Sequence, residues 1–198
     1  MVPGTMKKTT RKYVWSLAAN ALLLLVVIAV WQYRLHTPGR DPDAQYLPEA
    51  TYLADLQDQA SLNDLRGQWV LLNLWASWCP GCIVEMPSLE TLSKEYKSKG
   101  LHVIAISLDE ADTPDKVQAS ITKFKFGDIA RNWDDKGKVY AKFNPPGLPM
   151  TYLADPSGKI IQTFAGERDW SDPQVRALID QSLDVSSGTT VNKSPTSP

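Results

Sequence analysis

Cys79 and Cys82 are the only cysteines in the 198 residues, and they stand two residues apart at the junction between an apolar run and a helical pattern. A bridge closing so short a loop removes little entropy from the unfolded chain, so the pair makes a poor structural staple. Exchange chemistry is the better reading. The run Val70–Leu74, ending at Trp75, reads as a buried central strand, and Cys79 follows it by a short loop. Beyond the cysteines, Ile83, Met86, Leu89, Leu92 and Tyr96 recur at helical spacing over residues 83–97, and Gly100 can stop that helix. A thiol at a helix N-terminus feels the positive end of the backbone dipole, which favours thiolate over thiol. The expected pKa of Cys79 falls from ~8.5 towards roughly 7. Pro80 suits the first helical turn, where its missing N–H would have no intrahelical partner. The two-residue spacer brings Cys82 round to the sulfur of Cys79, so a mixed disulfide on Cys79 can be resolved from the same helix. Cys79 is the expected nucleophile and Cys82 the resolving thiol.

The remaining pattern alternates strands and helices. Leu101–Ser107 reads as a strand, and Thr113-Pro114 opens a helix towards Phe126. Met150–Ala154, a turn at 155–158 and Lys159–Phe164 read as a hairpin. Asp172-Pro173 opens a last helix with Val175, Leu178, Ile179 and Leu183 along its apolar side. This order predicts an α/β fold with a layered sheet, not a bundle or a sandwich.

The ends of the chain differ from this body. Residues 1–13 carry Lys7, Lys8, Arg11 and Lys12 and no acid. Residues 14–33 form an uncharged stretch with an unbroken apolar run from Ala21 to Trp31. At 1.5 Å per residue its length approaches the roughly 30 Å of a bilayer's hydrocarbon core, and Trp15, Trp31 and Tyr33 sit where aromatic side chains favour the interface. A single transmembrane signal-anchor is expected there, although Val27-Ile28-Ala29 also fits a small-residue cleavage site. Four cations before the segment, against Arg34 alone directly after it, place the N-terminus in the cytoplasm, the catalytic body in the periplasm or an equivalent outer space, and the chain in the inner (cytoplasmic) membrane. Residues 34–45 suit a linker, 46–184 one domain, and 185–198 a disordered tail with few apolar residues. Beyond Arg34 there are 16 basic and 22 acidic residues, an acidic balance with no footprint for nucleic acid.

Metal chemistry finds little support. Structural zinc needs four ligands, and the chain offers one cysteine pair with His36 in the linker and His102 at a strand start. Covalent haem attachment needs histidine directly after the second cysteine, where Ile83 stands. No cofactor is expected. Peroxidases of related architecture carry Pro-x-x-x-Thr/Ser-x-x-Cys, but Leu72 and Ala76 occupy the two diagnostic positions.

The run LLNLWASWCPGCIVEMPSLETL resembles the active-site segment of TlpA/ResA-type thioredoxin-like proteins of the redoxin (AhpC/TSA) superfamily. These are membrane-anchored reductases that include cytochrome c maturation thioredoxins. The resemblance extends from about Leu47 to Leu183, taking in DLRG at 64–67, Trp75, Trp78, Pro87 and GLPMTYLADPSGKI at 147–160. It implies a thioredoxin fold, with a central mixed sheet flanked by helices, and protein disulfide oxidoreductase activity. It places Pro149 in a cis-proline loop facing the cysteines, with Leu148 offering backbone groups to a substrate strand. Trp78, Pro80, Gly81, Leu148 and Pro149 are then the substrate-binding residues, and Trp75 and Trp78 are expected to pack around the site and shield it. Pro87 matches the superfamily's helix kink. Ordinary thioredoxins keep a buried acid where this chain has Asn73, which cannot titrate; the ResA-type pattern instead puts an acid at Glu85, three residues after Cys82. Glu85 is the expected proton acceptor for Cys82, against the plainer reading of an acid that favours the helix's first turn. The spacer Pro80-Gly81 lacks the histidine of strong oxidants, which favours a reductase of exported, cysteine-containing proteins, fed by an inner-membrane thiol donor. A copper-delivery module or a net oxidant are the alternatives.

Overall fold

The computed structural model describes residues 23–28, 44–110 and 113–186. The chain divides into two units, Met1–Pro42 and Asp43–Pro198. In the first unit, residues 23–28 are helical with exposed side chains. Among the described residues no helix is long and apolar enough to cross a membrane. The expected span at 14–33 lies outside the described residues apart from 23–28, as do the basic terminus, most of the linker and the tail beyond Ser186.

The second unit is built on one seven-stranded sheet of order β2-β1-β5-β4-β3-β6-β7. Its strands are β1 (Thr51–Ala54), β2 (Asp58–Ser61), β3 (Trp69–Trp75), β4 (Leu101–Ser107), β5 (Asn132–Trp133), β6 (Met150–Ala154) and β7 (Ile160–Ala165). The helices are α1 (Pro80–Tyr96), α2 (Pro114–Phe124), α3 (Lys138–Phe143) and α4 (Pro173–Ser186). Strands β3, β4 and β5 run parallel, while β6 lies antiparallel to β3 and β7 antiparallel to β6. The mixed sheet of a thioredoxin fold is therefore present.

Strand β3 is central and every one of its residues is buried. Side chains alternate across a strand. Leu71 and Trp75 join the core under α1, with Cys82, Met86, Leu89, Leu92 and Tyr96, whereas Val70, Leu72 and Leu74 join the core on the other face. The same alternation turns Asn73 towards α1, where an amide has no apolar role. Helix α1 ends through a 3-10 turn at Lys97–Lys99, and Gly100 takes the left-handed conformation, at φ 81°, that a side chain resists.

The structure departs from expectation in several places. The β1–β2 hairpin has no alternating apolar signal, since β2 reads DQAS, and pairing with β1 holds it at the sheet edge. Leu178 does not join the apolar side of α4: it is half exposed, while Val175 and Ile179 are buried. Trp75 is fully buried, edge-on to Phe126, but Trp78 is 69% exposed instead of packed over the site.

Candidate active site

Cys79 is the N-cap of α1, and Pro80 is the first helical residue. Its sulfur accepts the Cys82 backbone N–H at 3.2 Å, one of the donors that a helix start leaves without an intrahelical partner. The two cysteines form a disulfide, and both are buried. A thiolate generated at Cys79 would meet that N–H and the dipole of a 17-residue helix. The loop before it is pinned by Asp109, a residue the sequence reading passed over. Its carboxylate accepts from the Ser77 backbone N–H at 3.0 Å, the Ser77 hydroxyl at 2.8 Å and the Ser107 hydroxyl at 2.7 Å.

The Leu148–Pro149 peptide is cis, as the resemblance implied. Pro149 lies against the cysteine spacer: a methyl group added to Gly81 would come within 3.5 Å of Pro149 Cδ. A cleft of about 930 Å³ opens beside this junction, lined by Trp78, Leu148, Tyr140, Pro145 and the carboxylates of Glu110 and Asp135 among others. The expected site residues Trp78, Pro80, Gly81, Leu148 and Pro149 thus gather around Cys79.

Glu85 is 1% exposed, on the same face of α1 as Cys82. Its Oε1 accepts from Asn73 Nδ2 at 2.7 Å and its Oε2 from the Arg168 backbone N–H at 3.0 Å. Asn73 Nδ2 also donates to Thr151 Oγ1 at 2.8 Å, across the β3–β6 pair. The Trp170 indole is near enough to favour the charged form but makes no hydrogen bond of ordinary geometry. Burial outweighs these donors and, with the Glu167 charge adding to it, pushes the Glu85 pKa from 4.5 up to about 7. A carboxyl poised near neutrality can both accept and return a proton. Asn73 is thus more than a position that cannot titrate; it is a donor that helps the buried acid ionise.

This shift has a consequence for stability. The folded-state pKa lies above the unfolded one, so as pH rises the unfolded chain releases its proton first, and stability falls between about 4.5 and 7. At 1.36 kcal/mol per unit, the stability of wild type relative to Glu85→Gln is expected to fall by up to about 3 kcal/mol across that window and then level off. Denaturant unfolding of both oxidised proteins at several pH values measures it; a flat difference would mean that Glu85 is ionised throughout.

The fold and site together define a thioredoxin-fold protein whose active helix is capped by one cysteine of a Cys-x-x-Cys pair, opposite a cis-proline loop. The AhpC/TSA family model matches residues 44–180, and the chain belongs to that family. The thiol-disulfide oxidoreductase ResA of Bacillus thuringiensis is 36% identical over 108 residues, covering 54% of this chain and 60% of that protein. The chain thus spans three fifths of that relative's length. ResA of Geobacillus kaustophilus is 30% identical over 169 residues, covering 81% of this chain and 91% of that one. A crystal structure of a Chlorobium tepidum protein assigned as the thiol:disulfide interchange protein DsbE superposes with a TM-score of 0.60 at 25% identity, over 71% of this chain and 96% of that one.

Proposed function

We propose that the chain is a dithiol reductase of protein disulfides, held on the outer face of the cytoplasmic membrane by residues 14–33 and acting on exported proteins. One observation carries the reaction: Cys79 caps the helix start, with Cys82 behind it and a buried, near-neutral Glu85 one turn further on. In the reduced protein the Cys79 thiolate attacks a substrate disulfide, one substrate sulfur leaves as a thiolate, and a mixed disulfide forms. Cys82 then passes its proton to Glu85 and attacks Cys79, which releases the second substrate thiolate and leaves the Cys79–Cys82 disulfide. A membrane thiol donor must return two electrons to restart the cycle. The substrate strand lies along Leu148 and enters the cleft beside Trp78. The Pro80-Gly81 spacer and the likeness to ResA proteins support the reducing direction, with apocytochrome c or oxidase-assembly cysteines as the substrate class.

Among the described residues no group of three or more His, Cys, Asp and Glu side chains is placed to hold a metal ion. The test is reduction of insulin by the purified full chain in detergent, supplied with a small dithiol. Reduction well above the dithiol alone is expected, and a rate equal to that background would contradict the reading.

A further inference from the structure

The segment Gly166–Trp170, between β7 and α4, ties the two halves of the site together. The Gly166 N–H donates to the Pro149 carbonyl at 2.9 Å, the Arg168 N–H to Glu85 Oε2 at 3.0 Å, and the Trp170 N–H to the Ser88 hydroxyl at 3.1 Å. Three backbone donors thus span from the cis-proline loop across the first turns of α1. Trp170 anchors the far end, fully buried and edge-on to Phe164.

Glu167, in the middle of this strap, reaches the cysteine spacer itself. A methyl group on Gly81 would come within 3.1 Å of Glu167 Cβ and 3.2 Å of its Oε2. The side chain therefore fills the space that glycine leaves between the two cysteines, and its carboxylate lies beside the helix start. Among the described residues it makes no hydrogen bond or ion pair. The nearby cation, Arg168, is instead directed over the Phe164 ring at 5.1 Å. Glu167 is thus an exposed carboxylate packed against the spacer of the redox pair.

We propose that Glu167 is a positioning residue for the redox pair: its carboxylate, lodged against Gly81 beside Pro149, opposes the helix dipole at Cys79, raises the thiol's proton affinity and keeps the couple reducing. This rests on the reading of Cys79 as the attacking thiol. The physical chain is short. An anion close to a developing thiolate disfavours it, a less stabilised thiolate makes the dithiol form less favourable, and a less favourable dithiol form is a stronger reductant. The other charged groups facing this region are Glu85 on α1, Arg168 on the strap, Asp109 and Glu110 after β4, and Asp134 and Asp135 before α3, and the Glu167 variants leave all of them in place.

The test uses the full chain in detergent with Glu167→Gln, which keeps the shape and removes the charge, and Glu167→Asp, which keeps the charge. The pH dependence of Cys79 alkylation is followed in a Cys82→Ser background, and the equilibrium with glutathione in the intact pair. A charge beside a helix terminus is worth about two- to five-fold in such an equilibrium. At low salt, Glu167→Gln is expected to raise the thiolate fraction of Cys79 below its pKa by that factor and to shift the glutathione equilibrium towards the dithiol by a similar one. High salt is expected to shrink both effects, because the side chain is exposed. Glu167→Asp is expected to stay near wild type. Equal titration of wild type and Glu167→Gln at low salt, or equal shifts in both variants, would overturn the proposal. If instead the wild type fails to reduce insulin, the functional reading fails on its own, whatever Glu167 does to the thiol.

Discussion

Cys79→Ala is expected to reduce disulfide exchange to background, whereas Cys82→Ala preserves the first attack and stops turnover. The asymmetry follows from position, not from exposure, since both sulfurs are buried. Cys79 is the N-cap and its sulfur already receives a backbone N–H at 3.2 Å, so its anion has a donor and a dipole waiting. Cys82 lies further into the first turn than the N-cap and is 0% exposed, where burial opposes its anion. Removing Cys79 takes away the nucleophile; removing Cys82 leaves each substrate molecule attached, so a single round ends in an accumulated mixed disulfide. Gel shift under non-reducing conditions distinguishes the two. Adducts on the Cys79 variant would reverse the assignment.

Glu85→Gln is expected to slow the resolving step by roughly 100-fold near neutral pH, the usual worth of a positioned general base. Cys82 must lose its proton in surroundings that oppose a buried thiolate. Glu85, one turn along the same face and lifted to about 7, is the group that can take it. Much of the loss is expected to return as pH rises, because solvent base then deprotonates Cys82 unaided. Asn73→Ala removes a 2.7 Å donor to the charged carboxylate, so it is expected to move the acidic limb of the profile upward without abolishing it. Stopped-flow exchange from about pH 5 to 10, the range across which carboxyl, histidine and thiol groups change charge, reads both variants. A wild-type profile in Glu85→Gln would leave Glu85 as a helix-end charge only.

The centre of this site was legible in the sequence because its signals are local. An apolar run before Cys79, a helical stripe after Cys82 and Gly100 beyond it are enough to set a thiol at a helix start. The cis-proline loop and Glu85 were reached only through resemblance to ResA-type proteins. What stayed hidden depends on contacts between distant segments. Asn73 is recognisable as a residue that cannot titrate, but its role as donor to Glu85 follows from β3 facing α1. Asp109 is one acid among many until the loop at Ser77 folds against it. The strap at 166–170 works through backbone N–H groups, which every non-proline residue possesses, so no residue type announces it. Trp78 was expected to cover the site, yet the loop pinned by Asp109 leaves it at the rim of the cleft.

The central claim is that Cys79 alone attacks substrate and Cys82 resolves. Its most direct measurement is peptide mapping by mass spectrometry of complexes trapped on Cys82→Ser expressed in its native cells. Exported cysteine-containing proteins are expected joined to Cys79, released by added dithiol and missing from the Cys79→Ser control. Complexes that persist in the Cys79→Ser control, joined through Cys82, would contradict it.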